Sequence, residues 1–203
     1  MKRKLTGCVA ALVGVVPVLI AEGVGAQEST KEPAGILVDA NVNVLGPAQF
    51  GVAPTVEVGA GHWAGHAYFR WLSSGLLAHS LLPNRDAEKL AFSYGVGAGG
   101  RYYTKPGLWG FHVGAGVEYL HVVVESEPDR EAYISSWVVP QLALGYRWKL
   151  DQILIGIGGS TGFAISTSAR AEDRSNGADP IEYNPDDVNR PFGSASLEVG
   201  YFF

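Results

Sequence analysis

Cysteine is almost absent: the 203-residue chain has one, Cys8, near its N-terminus. Disulfides, thiolate metal sites and thiol nucleophiles are therefore excluded from everything that follows that segment. Charge is scarce too, with Asp, Glu, Lys and Arg at 17% of residues and a formal balance of −5. Nucleic-acid binding needs a basic face, which this balance does not supply. After residue 26 no apolar run reaches the roughly 20 residues that a membrane-spanning helix requires. The chain is nonetheless 47% hydrophobic and carries 27 glycines. Such a chain can cross lipid only as a closed barrel, because strand backbone groups must all be paired there.

The N-terminus has the layout of a secretory signal. Lys2, Arg3 and Lys4 precede an apolar stretch from Val9 to Ile20, broken only by Gly14 and Pro17. Val24-Gly25-Ala26 then offers small residues for cleavage before Gln27, so residues 1–26 read as a signal peptide and 27–35 as a short polar lead. Leu5-Thr6-Gly7-Cys8 has the composition of a lipoprotein box but precedes the apolar stretch that it should follow. Cleavage would remove Cys8, three basic residues and one acid, Glu22, leaving the exported chain more acidic still.

Eight segments then alternate between apolar and polar residues: 36–45, 51–61, 64–73, 90–103, 110–124, 133–149, 152–167 and 194–203. Period two marks strands with one apolar face. The connections Gly61–Ala64, Thr104–Gly110 and Lys149–Gln152 are short. Those at Ser73–Lys89, Glu125–Glu131 and Ser168–Gly193 are longer and polar, and Leu45–Phe50 is intermediate. Short turns on one side and long loops on the other are the habit of single-chain membrane barrels. With an even strand count, both chain ends fall on the short-turn side.

The apolar rows are regular. Phe92, Tyr94, Val96, Ala98, Gly100 and Tyr102 oppose Ser93, Gly95, Gly97, Gly99 and Arg101, while Phe111, Val113, Ala115, Val117 and Tyr119 oppose His112, Gly114, Gly116 and Glu118. A tight turn at Pro106-Gly107 pairs Tyr102 with Phe111 and Tyr94 with Tyr119, giving four girdle aromatics around an aliphatic strip. At about 3.3 Å per residue and a tilt near 40° that strip is roughly 20 Å tall, against about 25 Å for a lipid-facing band.

On the opposite face stand seven charges: Asp39, Glu57, Arg70, Arg101, Glu118, Arg147 and Glu198. Eight strands leave an interior just wide enough for side chains, so these predict a packed, salt-bridged plug. A narrow ion path is the alternative. The glycine runs 95–100 and 156–162 lack both a following helix and a phosphate-binding Lys, so they do not read as nucleotide loops. The histidines His62, His66, His79, His112 and His121 form no metal-type helical pair, and neither a metal nor a cofactor is expected. His79 and Ser80, near Asp86 and Glu88, are the one place for an acyl-transfer set, although the His-x-Ser-Asn pattern of lipid A deacylases is missing. Residues 169–190 hold six acids and three Arg, which suit a solvated loop or divalent-ion bridges to lipopolysaccharide, and depart from a calcium loop. Leu76, Leu77, Leu81 and Leu82 suit packing at the barrel mouth or the lipid interface.

The last segment is the most motif-like. Ala195, Leu197, Val199, Tyr201 and Phe203 recur at every second position up to the final residue. This resembles the C-terminal insertion signal of bacterial outer-membrane barrels. Together with the eight segments and the alternating loop lengths, it resembles the small outer-membrane β-barrel superfamily, which includes the outer membrane protein A transmembrane domain and OmpX-like proteins. The resemblance implies an eight-stranded up-and-down transmembrane β-barrel over residues 36–203, exported through the periplasm to the outer membrane of a Gram-negative cell. It implies a monomer in contact with outer-membrane lipid and lipopolysaccharide, inserted by the barrel-assembly machinery, with no nucleic acid as partner. No peptidoglycan-binding domain follows, so the anchoring role of larger members is not expected. The expected role is non-enzymatic, in envelope structure or surface contact; a lipid A-modifying enzyme and an OmpW-like passage for small apolar molecules are the alternatives.

Overall fold

A computed structural model describes residues 35–49, 51–72, 88–126, 131–173, 181–182 and 189–203. The segment assigned as a signal peptide lies outside them. Ten strands are present among the described residues: β1 (Leu37–Asn43), β2 (Pro54–Ala60), β3 (Trp63–Trp71), β4 (Glu88–Leu90), β5 (Tyr94–Lys105), β6 (Trp109–Ser126), β7 (Glu131–Leu150), β8 (Ile153–Asp173), β9 (Ile181–Glu182) and β10 (Arg190–Phe202). The only helical element described is a short 3-10 turn at Gly46–Ala48.

Eight of these strands pair antiparallel with their sequence neighbours, and β10 pairs with both β8 and β1, so the sheet closes in a barrel-like ring. Closure leaves no edge along the ring, which suits a sheet whose backbone must be fully paired. The two short strands lie outside the ring order, β4 on the end of β6 and β9 on the end of β8. No helix among the described residues is long and apolar enough to cross a membrane.

Strand lengths are uneven. β1 and β2 have 7 residues each, whereas β6, β7 and β8 have 18, 20 and 21. The β7–β8 hairpin pairs as far as Glu131 with Asp173, well beyond the level where β10 begins opposite Ala164. The sheet therefore rises as a tall wing on the long-connection side. The sequence pattern ends the last long segment at 167, because Ser166-Thr167-Ser168 carries no apolar alternation. A strand held by its hairpin partner needs none once it leaves the greasy band. Thr167 is also an extra residue: Trp137 pairs with Ser166 and Ser136 with Ser168. Such a bulge reverses the faces beyond it, which hides the continuation from any period-two reading.

One register departs from expectation. The β5–β6 connection is three residues long, closing on Lys105 and Trp109, and a bulge beyond it brings Tyr103 opposite His112. Gly110 at φ 87° supplies the conformation that the bulge needs. Tyr102 therefore pairs with Val113, and Tyr94 with His121, in place of Phe111 and Tyr119. The displacement is two residues, so every side chain keeps its face.

Outside the ring the residues are apolar and exposed. Leu142 and Leu144 are 64% and 61% exposed, and Val56, Val96, Val113, Val117, Ile157 and Val199 also point outward. Aromatic pairs flank this band. Trp63–Tyr102, Tyr146–Trp148 and Tyr201–Phe203 stand near the short turns, and Phe69–Tyr94 and Phe92–Tyr94 near the other end.

Candidate functional site

The ring's interior is built in layers, and β-strand alternation decides which residues enter it. At the short-turn end, Ala64, Tyr103, Leu108, Leu154 and Phe202 pack into an apolar plug, with the Lys149 ammonium 4.4 Å from the Phe202 ring centre. At the other end Leu72, Leu120, Trp137, Val139 and Ala164 form a second plug, joined by Val122 and Phe192. Between the plugs lie the charges.

The larger cluster is centred on Arg147, which is 1% exposed. Its guanidinium reaches Asp39 at 3.2 Å, Glu57 at 3.3 Å and Glu198 at 2.8 Å. Arg101 joins from β5, at 3.1 Å from Glu57 and 3.3 Å from Glu198. Tyr103 donates its hydroxyl to Glu57 at 2.5 Å, and the Asn41 amide donates to Asp39 at 2.7 Å. Three carboxylates thus face two guanidiniums. The second cluster is a pair: Arg70 holds both Glu118 oxygens, at 2.7 and 3.3 Å. The Tyr68 hydroxyl donates to Glu118 at 3.0 Å and accepts from Gln141 at 2.6 Å. Buried charges of this kind persist only where partners and extra hydrogen bonds meet them.

The sequence also provides the room. Arg101 lies over Gly114 and Arg147 over Gly156, each with its Cγ 3.0 Å from where a Cβ would stand. His112 and Tyr68 lie likewise over Gly145 and Gly97. Each long side chain crosses a neighbouring strand at a glycine, so the alternating Gly runs serve as the floor on which the network rests. A polar space of about 90 Å³ remains between the clusters, bordered by His66, His112, Arg101, Tyr68, Gln141 and Glu198, and holds room for only a few waters.

All seven charges singled out from the sequence point into this interior, and the structure brings five into one cluster and two into the other. Of the four girdle aromatics, Tyr102, Phe111 and Tyr119 are exposed on the outer wall and Tyr94 is half-buried there. In the terminal row, Ala195, Val199, Tyr201 and Phe203 are exposed on the outer face and Leu197 is half-buried. The roles of Tyr103, Tyr68, Asn41 and Gln141 are not evident from charge alone. Their signal is parity: each stands two residues from an inward group, as Tyr103 does from Arg101.

No family profile, curated protein or solved structure matches this chain.

The described residues contain no group of three or more His, Asp or Glu able to hold a metal. His79, Ser80 and Asp86, the four leucines 76, 77, 81 and 82, and three of the six acids of 169–190 (Asp179, Asp186 and Asp187) lie outside the described residues. One Ser–His contact exists elsewhere. The His121 Nδ1 is 3.1 Å from the Ser136 Oγ, which also accepts the Tyr119 hydroxyl at 3.1 Å. Ser136 is 5% exposed, so the contact ties β6 to β7 and offers no accessible nucleophile.

Proposed function

We infer that this chain is a transmembrane β-barrel of a bacterial outer membrane, non-enzymatic, with a blocked interior and a structural or surface-contact role. One observation carries the reading. The ring is greasy outside and charged inside, the inverse of a protein that folds in water. A soluble monomer rarely exposes contiguous apolar patches beyond a few hundred Å². Here the exposed aliphatics circle the ring between two sets of aromatics, an arrangement suited to hydrocarbon flanked by headgroups. Under this reading, the short turns and both chain ends face the periplasm, and the tall β6–β8 wing stands on the outer surface.

The interior favours structure over passage. Among the described residues, apolar clusters pack toward both ends and ion pairs lie between them, which supports a filled interior over a passage. The resemblance to small outer-membrane barrels agrees with this reading, as does the period-two row ending on Phe203. Fractionation of expressing cells, with gel migration before and after boiling, tests it. The expected result is outer-membrane recovery with a heat-dependent change of migration. A detergent-free, soluble, folded monomer would refute the reading.

A further inference from the structure

Three hydrogen-bonding side chains lie close together at the long-connection end of the ring, without hydrogen-bond partners among the described residues. Arg190 opens β10 and places its guanidinium carbon 5.4 Å from the centre of the Trp137 ring. Among the described residues no carboxylate pairs with it. Beneath it, Trp137 is 7% exposed, and its Nε1–H has no acceptor among the described residues. Ser166, the cross-strand partner of Trp137, is 9% exposed and its Oγ is also unmatched. The Asn189 side chain accepts from the Ser166 backbone N–H at 2.8 Å, holding this corner of β8 against the start of β10.

Chemistry narrows what these groups would recognise. A guanidinium and an indole N–H donate and cannot accept, while a serine hydroxyl can donate. A ligand that satisfies all three must bring several acceptor oxygens and, opposite Arg190, negative charge. Placed over the Trp137 ring and exposed, the planar Arg190 fork offers its N–H donors to an oxyanion in the geometry that guanidinium binds well. Trp137 belongs to the apolar plug and Arg190 is exposed above it, so a ligand would meet the site from the Arg190 side.

We propose that Arg190, Trp137 and Ser166 form a recognition site for a small oxyanion group, of the phosphate or carboxylate kind, at the mouth of the ring. The site goes beyond the membrane reading and needs only the ring, so either can fail without the other.

Its test is a titration of the full ¹⁵N-labelled protein in detergent micelles, following the indole N–H signals of its five tryptophans. Inorganic phosphate is added at constant ionic strength in one arm; in the other, the micelles carry lipid A. The Trp137→Phe variant identifies the Trp137 signal, and Ser166→Ala does so through its neighbour if that variant does not fold. The Trp137 signal should move saturably and alone. Arg190→Gln should weaken binding by roughly tenfold or more, as loss of a charge-assisted contact does. Saturation by free phosphate assigns a soluble ligand, and response to lipid A alone assigns a lipid-borne phosphate. No movement in either arm, an equal response to chloride, or undiminished binding by Arg190→Gln would each overturn the proposal.

Discussion

Replacing Arg147 by Met tests the interior network at its most connected point. Among the described residues Arg147 is the one guanidinium paired with Asp39, and it shares Glu57 and Glu198 with Arg101. The native cluster sets three carboxylates against two guanidiniums. The substitution leaves three against one, with Asp39 retaining only the Asn41 amide. Methionine fills part of the volume, so the loss is mainly electrostatic. Breaking a buried pair by removing one partner costs about 3–5 kcal/mol, a large share of the roughly 5–15 kcal/mol that holds a typical domain folded. Reversible urea unfolding of protein inserted into lipid vesicles measures it. A second substitution sharpens the reasoning: Asp39→Asn in the Arg147→Met background removes the stranded carboxylate, whereas Glu57 and Glu198 keep Arg101. That double variant should recover at least about 1 kcal/mol relative to Arg147→Met, a coupling of the size found between contacting residues. Stability of Arg147→Met within about 0.5 kcal/mol of the parent, the range of ordinary surface changes, would refute the stabilising plug.

Other perturbations follow from the same packing. Gly97→Ala would place a methyl group inside the Tyr68 ring, displacing it from Glu118 and Gln141; a loss of about 1–3 kcal/mol in the same unfolding assay is expected. Arg101→Ala should lower stability without opening a current across planar bilayers, because the two apolar plugs remain. Truncation of Phe203, which is 77% exposed, should leave the unfolding midpoint of refolded protein nearly unchanged yet sharply reduce the heat-modifiable form recovered from cells. Leu142→Arg should cost about 2–4 kcal/mol in vesicles, the expense of a charge near the bilayer midplane.

Much of the ring is legible in the sequence because a closed sheet with one greasy face obeys a single period. The rows through Val96–Tyr102 and Phe111–Tyr119 keep their faces despite the register displacement, since two residues along a strand preserve parity. The same alternation turns all seven charges inward. What escapes is whatever period two does not encode. Partner choice within the network depends on which strands face each other across the ring, so Arg147 meets Asp39, Glu57 and Glu198 from strands far away in sequence. The turn at Pro106–Leu108 hides its third residue and its Gly110 bulge behind an ordinary Pro-Gly signal. The tall end of β8 is polar, and Thr167 reverses its faces, so nothing apolar announces it.

The central claim is that hydrocarbon touches the outward rows. A nitroxide on Leu142→Cys, introduced after changing Cys8 to Ser, reports that contact in native membranes through its collision rates with oxygen and with a water-soluble nickel chelate. Oxygen concentrates in acyl chains and the chelate stays in water, so oxygen should dominate at this position. A label relaxed more strongly by the chelate would place Leu142 in water and contradict the account.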